Sequence, residues 1–227
     1  FTKDENFLNA LWFTIKFTIV SVITINVFAF VLALLLTKAL KGTTFFRTVF
    51  FMPNLIGGIV LGYIWNLLIN AILGVFGFDI TYDADYGFWG LLILMCWQQV
   101  GYMMIIYIAG FQSVPADLYE AAKIDGANKG QLLTNVTLPM MMPSITICSF
   151  LTLTNSFKLF DQNLALTGGA PLVDGVWTTR MMALNIYKTF YGEGKAAKGT
   201  GQAEGVIFFL IVVVISLVQL YLTRRKE

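Results

Sequence analysis

Residues 118–130 read LYEAAKIDGANKG, a short polar stretch set between long apolar runs. It holds the acids Glu120 and Asp125, the bases Lys123 and Lys129, and the glycines Gly126 and Gly130. Ser113 or Pro115 is a suitable start for a helix here, because proline fits a first helical turn. Leu118, Ala121 and Ala122 then share one side, with Tyr119 one position along. Glu120 and Lys123 lie three apart, a spacing that lets side chains meet on a helix surface. Asp125-Gly126 stops the helix, since glycine accepts the left-handed backbone of a helix end. Gln131–Thr137 leads on to Leu138 and Pro139. The expected shape is a short helix, a sharp corner and a second short element. By periodicity alone it could equally be an amphipathic segment lying on a lipid surface.

The surroundings make it an oddity. Hydrophobic residues form 57% of the 227-residue chain and charged residues 12%, with mean hydropathy +0.74. Soluble domains carry roughly 25% charged residues, so this chain has too few to cover a water-facing surface. A membrane protein is expected. The net charge of +2 and the lack of a basic patch point away from nucleic acid. Cys96 and Cys148 both fall in apolar runs and read as packing residues. There is no histidine, which removes the commonest general base and zinc ligand. No catalytic residues and no metal site are expected.

A bilayer core of roughly 30 Å needs about 20 apolar residues in a helix. Five runs qualify: Leu11–Leu36, Val49–Ile69, Phe88–Phe111, Leu138–Phe157 and Val206–Leu222. Lys16, near the start of the first, is expected to snorkel to the headgroups. Pro53 breaks the second run near its start, and Pro139 and Pro143 break the fourth. Gly58 and Gly62 form a small-xxx-small pair suited to close helix packing. The connector with Lys38, Lys41 and Arg47, and the tail with Arg224, Arg225 and Lys226, carry the positive charge expected of cytoplasmic segments. The acidic connector with Asp79, Asp83 and Asp85 is then external. Alternation places 113–137 in the cytoplasm and 158–205 outside, although Lys158, Arg180, Lys188, Lys195 and Lys198 oppose the latter. The stretch YGEGKAAKGTGQAEG, 191–205, reads as a flexible external loop. The fold class is all-α and polytopic, one transmembrane domain over 1–227. The cytoplasmic insert lies between the third and fourth runs.

Glu120-Ala121-Ala122, Asp125-Gly126-Ala127 and Val136-Thr137-Leu138-Pro139, at their spacing between two runs, resemble the EAA loop of the permease subunits of bacterial ABC importers. FFRTVFFMPN (45–54) resembles the basic-aromatic entry to a span in that family. SFKLFDQNLALTGGAP (156–171) resembles the corresponding segment of its sugar and glycerol-phosphate branch, and Trp97 with Tyr102-Met103-Met104 resembles the larger permease subunit of maltose-type importers. The resemblance implies a six-span core, so an additional span before Phe1 is expected. It implies a bacterial plasma-membrane protein with a second permease subunit, cytoplasmic ATPase subunits and an external solute-binding protein as partners. The insert would be the coupling helix that docks on the ATPase, with Leu118, Tyr119, Glu120, Ala121, Ala122, Asp125, Gly126, Ala127, Leu138 and Pro139 as its residues. The sequence departs from the pattern at Gly130, where relatives carry a bulky aromatic, and at Thr134 and Asn135, where arginines are common.

No Gly-rich phosphate loop followed by Lys and Ser/Thr is present. The chain is therefore expected to bind no cofactor and to hydrolyse nothing, with ATP and Mg on the partner ATPase. Polar groups on apolar spans are costly unless used or paired. Gln98, Gln99 and Tyr102 on the third run, Ser149, Thr152, Asn155 and Ser156 on the fourth, and Asn54 after the Pro53 break are the candidates to line a substrate path. Asn26 and Asn66 are further polar groups. The maltose-type resemblance implies that Tyr102, Asn54 and the Asn155 region contact sugar. Each is also a candidate for an ordinary interhelical hydrogen bond. No run interior holds an arginine to meet a phosphate, which favours a neutral di- or oligosaccharide. An ion-coupled secondary sugar carrier is the alternative. It would need intramembrane carboxylates or histidines, and the five run interiors contain none. A channel would need a pore ring or filter, and a protease a catalytic pair; neither is visible.

Overall fold

The structure, a computed structural model, describes residues 4–37, 42–192 and 197–224. Lys38, Lys41, Lys195, Arg225 and Lys226, used above for orientation, lie outside the described residues. Among the described residues the regular structure is helical but for a two-strand hairpin. The order is α1 (Glu5–Leu36), α2 (Thr43–Phe51), a 3₁₀ turn (Met52–Leu55), α3 (Gly58–Gly74), α4 (Ala84–Ser113) and α5 (Ala116–Ile124). Next come α6 (Lys129–Leu132), a π turn (Leu133–Thr137), α7 (Leu138–Met140), α8 (Met142–Phe157) and α9 (Asp161–Leu166). The antiparallel strands β1 (Leu172–Val173) and β2 (Val176–Trp177), α10 (Met182–Phe190) and α11 (Ala197–Arg224) complete it.

Three helices are each long and apolar enough to cross a bilayer: Glu5–Leu36, Ala84–Ser113 and Ala197–Tyr221. The second and fourth runs are not single rods. Thr43–Leu55 meets Gly58–Gly74 at 101°, and Lys129–Met140 meets Met142–Phe157 at 68°. Counting each bent pair as one span gives five among the described residues. The bends fall beside Pro53 and Pro143, as the missing amide donor of proline requires.

The long helix α4 is the central post, with Leu91, Leu94, Met95, Met103 and Met104 almost wholly buried. Helix α1 lies beside it. Its buried stripe of Ala10, Thr14, Thr18, Ser21, Ile25, Ala29 and Ala33 repeats every three or four residues and is mostly small, which permits close approach. Its opposite face exposes Trp12, Ile19, Ile23, Val27 and Val31, as a lipid-facing surface does. Phe13 and Phe17 meet Phe88 edge-on at 5.9 and 5.8 Å, and Phe30 meets Tyr107 and Phe111 at 5.5 and 5.2 Å. The two helices therefore run in the same direction. Lys16 places its ammonium 4.8 Å from the Phe88 ring centre, a cation–π partner within the chain. Arg47 of the basic-aromatic segment donates to the Leu36 carbonyl at 2.8 Å, closing the end of α1.

One expectation about the last helix changes. The last helix begins at Ala197 rather than near Val206, so 197–205 is helix and not loop. Small residues allow this: a side chain at Gly201 would lie 2.8 Å from the backbone of Phe190 on α10. Glu204 is consequently fully buried, receiving Asn185 Nδ2 at 3.3 Å. The described part of 158–205 packs on the bundle. Its α9 folds back against α3, where Gly62 allows contact with Ala165 and Gly58 with Gln162. The small-xxx-small pair thus serves the returning helix.

Candidate functional site

Depth in the bundle can be read from α4. Gly87, near its start, lies against Thr179, and Gly110, near its end, lies against Ser144. Residues 98–102 stand at its middle. There the break of the second run arrives: a side chain at Gly101 would overlap the Phe50 carbonyl, and the Phe51 ring lies 6.4 Å from that of Tyr102. The carbonyl of Ile56, freed by the break, accepts Gln98 Nε2 at 3.3 Å. Gln98 Oε1 in turn accepts Gln162 Nε2 from α9 at 2.8 Å. One residue on, Gln99 Oε1 accepts Asn155 Nδ2 from the end of α8 at 3.2 Å. The first interruption, the end of α8 and the returning α9 thus meet at mid-depth in a set of neutral amides, whereas the second interruption, at Met141, lies beside Gly110 near the end of α4. Irregular backbone is tolerated within a membrane only where protein or a cavity satisfies it. Transporter sites recur at such broken helices.

The candidate residues divide on this geometry. Gln98, Gln99, Tyr102 and Asn155 gather near the first break, whose 3₁₀ turn holds half-buried Asn54. Thr152 belongs to another group. It donates to the Cys148 carbonyl at 2.7 Å and accepts Asn26 Nδ2 at 3.3 Å, while Tyr107 Oη donates to Asn26 Oδ1 at 2.7 Å. Ser156 is buried with its hydroxyl unpartnered, and Ser149 is half-buried. Asn66 donates to the Leu166 carbonyl at 2.7 Å, tying α9 to α3. Gln162 was missed because it was assigned to a connector; among the polar residues of SFKLFDQNLAL, 156–166, nothing in the sequence set it apart.

At the far end of α4 stands the polar insert. Helix α5 buries none of its residues. Its corner is a Schellman motif: the Ala127 amide donates to the Ala122 carbonyl at 2.9 Å and the Gly126 amide to Lys123 at 3.0 Å, with Gly126 at φ +80°. Leu118, Glu120, Ala121, Asp125 and Gly126 are exposed, Tyr119, Ala122 and Ala127 half-buried, and Ile124 is 86% exposed. A polar cleft lined by Ala122, Asp125, Gly126, Ala127, Gln131 and Asn135 lies under the corner. Asn128 and Gln131 form a capping box that opens α6, with bonds of 3.0 and 2.8 Å. This box, signalled by N-x-x-Q, went unread in the sequence. Thr137 donates to the Leu132 carbonyl at 3.1 Å, so Tyr119 donates to Thr137 at 3.1 Å and pins α5 to the start of the fourth run. Leu138 is half-buried and Pro139 exposed. A side chain added at Gly130 would meet Asn128 Oδ1 at 3.3 Å. Cys96 and Cys148 are free thiols, and no cluster of metal ligands occurs among the described residues.

Residues 12–227 match the family described as binding-protein-dependent transport system inner membrane component. The chain belongs to that family. It is a multi-pass inner-membrane transport component, not a catalytic enzyme. It is 46% identical over 233 residues to a probable starch degradation products transport system permease of Thermoanaerobacterium thermosulfurigenes, across 99% of this chain and 77% of that protein. It is 30% identical to a multiple sugar-binding transport system permease of Streptococcus mutans, across 99% of this chain and 78% of the relative. Among solved structures it is similar to a chain of a bacterial alginate ABC transporter in complex with an alginate pentasaccharide-bound periplasmic protein. The TM-score is 0.80 at 21% identity, covering 99% of this chain and 80% of that one, a likeness of fold.

Proposed function

We propose that this permease forms one half of the translocation path of a sugar ABC importer. The cargo is a neutral di- or oligosaccharide handed over by an external solute-binding protein. A second permease supplies the other half of the path within the bilayer. ATP and Mg are held by cytoplasmic ATPase subunits, and the chain itself binds no cofactor. The observation that carries the reading is the convergence of Gln98, Gln99, Asn155, Gln162 and the Ile56 carbonyl at mid-depth, where the second run breaks. Neutral amides supply donors and acceptors for hydroxyl groups, and Tyr102 adds an aromatic face. No charged group takes part in that hydrogen-bonded set, which suits an uncharged ligand. The names of the sequence relatives, which include starch-derived and multiple-sugar systems, support the substrate class.

On this reading the segment 113–137 is the cytoplasmic coupling loop and 158–205 the external connector. An exposed, corner-stiffened α5 suits docking into a groove of the ATPase, with Tyr119–Thr137 passing its motion to the broken fourth span. The test is uptake by the full complex in proteoliposomes. Gln98→Leu and Asn155→Leu should each lower uptake at subsaturating sugar by about tenfold, the cost of leaving a ligand hydroxyl unpaired. Subunit assembly should persist. Wild-type uptake in both variants would remove the amides from the path.

A further inference from the structure

The hairpin end of the bundle carries a feature that transport through the amides does not use. Arg180, between β2 and α10, is 9% exposed, and its Nε has no hydrogen-bond partner. Its guanidinium lies 4.4 Å from the Trp177 ring centre, and its stem packs on Gly169. Among the described residues no carboxylate pairs with it. Asp4 is engaged elsewhere, accepting the Asn6 and Phe7 amides at 3.1 and 3.2 Å to cap α1. Asp174 sits exposed in the hairpin turn with φ 50°. Burial pulls the guanidinium pKa below its ordinary value, with no neighbouring acid to restore it. A buried cation without a counter-ion is costly, and the cost is recovered when an anion arrives.

The surface around it is held stiffly. Asn6 Nδ2 donates to the Gly175 carbonyl at 3.3 Å and Asn6 Oδ1 accepts the Trp177 amide at 3.0 Å. Asn9 Nδ2 donates to the Trp177 carbonyl at 2.7 Å. These bonds clamp the hairpin to the first turns of α1. Leu172, directly across from Trp177 in the ladder, is 52% exposed and Val173 51%. A fixed apolar pair therefore stands next to an aromatic ring and an uncompensated positive charge. Such a surface fits a protein partner that brings a carboxylate flanked by apolar groups.

We infer that Arg180, Trp177 and Leu172 form the anchor that receives an acidic side chain of the solute-binding protein. The inference rests on the reading that this end faces outward and meets that partner. It adds the chemistry of the contact: charge-assisted pairing on a stacked guanidinium, bordered by the apolar hairpin. The anchor lies outside the mid-depth amides and acts on docking, not on the sugar.

The test uses the complete importer in nanodiscs and its own sugar-loaded solute-binding protein, titrated for stimulation of ATPase activity. Arg180→Met, which keeps the stem over Trp177, should raise the half-maximal binding-protein concentration about tenfold and flatten its salt dependence. Arg180→Lys should recover part of the loss. Leu172→Asp, an exposed change that leaves the fold intact, should raise it likewise. Maximal stimulation should stay at the wild-type level in all three. Unchanged half-maximal concentrations overturn the inference. So does an Arg180→Met complex that fails to assemble while Leu172→Asp behaves as wild type, since Arg180 is then structural. A changed sugar requirement at an unchanged binding-protein requirement assigns the charge to an acidic sugar and also overturns it. If the wild-type importer shows no stimulation at all, the transport reading itself fails, which is a separate result.

Discussion

Polar residues on the apolar helices look alike in sequence and differ in what stands across from them. Asn26, Gln98, Gln99, Thr152 and Asn155 were all legible as polar groups in oily runs. Their division into two sets was not, because it depends on the packing of α1, α4, α8 and α9. Asn26, Thr152 and Tyr107 satisfy one another between three helices. Gln98 instead meets the carbonyl of a broken helix and an amide of a returning one. The first set should therefore act on stability and the second on transport. Tyr107→Phe removes the donor to Asn26 and leaves its Oδ1 unpaired. It should cost about 0.6–1.7 kcal/mol, the range measured for interhelical hydrogen bonds in membranes. Thermal unfolding of the purified complex would show the loss, with uptake per folded complex unchanged. Loss of uptake at wild-type stability would move Tyr107 into the path.

At the scale of elements, composition and proline positions were enough to find the five apolar runs and the two breaks. The angle of each break was not readable. Pro53 marks where an amide donor is missing, but the 101° turn also needs somewhere to send the chain. Gly101 supplies it, since only the absence of a side chain lets the Phe50 carbonyl rest against α4. The beginning of α11 was misread for a related reason. Gly199, Gly201 and Gly205 suggest a loop by local preference, yet Gly201 allows α10 to press against this helix and tertiary packing overrides the preference. Gly101→Ala tests the break. Its Cβ would overlap backbone rather than a movable side chain, so relief requires displacing α2. The expected cost exceeds the roughly 1–3 kcal/mol usual for overpacking. Loss of folded complex at normal membrane insertion is the expected outcome. A stable variant with wild-type unfolding temperature would show that α2 is not held where the structure places it.

Across the whole molecule, α1 and α4 span the distance between two unlike ends. One carries the hairpin and Arg180, the other the exposed helix α5 with its Schellman corner. The amides lie between them. Energetic coupling between distant sites is reciprocal, so on the proposed function a solute-binding protein at the hairpin end and an ATPase at the α5 end would each bias the same bent spans. The weak point for cutting that link is Gly126. Its φ of +80° is strained for any other residue, and the space around it is open. Gly126→Trp should therefore leave the bundle and its insertion intact while distorting the corner and blocking close approach. Binding-protein-stimulated ATPase activity and uptake should fall together by about tenfold or more, while assembly of the two permeases persists. In the unaltered importer, uptake should follow ATP and ignore a protonophore, because none of the hydrogen bonds of the mid-depth amide set involves a titratable carboxylate or imidazole. Uptake abolished by the protonophore and indifferent to ATP would restore the ion-coupled carrier. Normal stimulated ATPase activity and uptake in Gly126→Trp would instead leave the importer standing and remove α5 as its coupling helix.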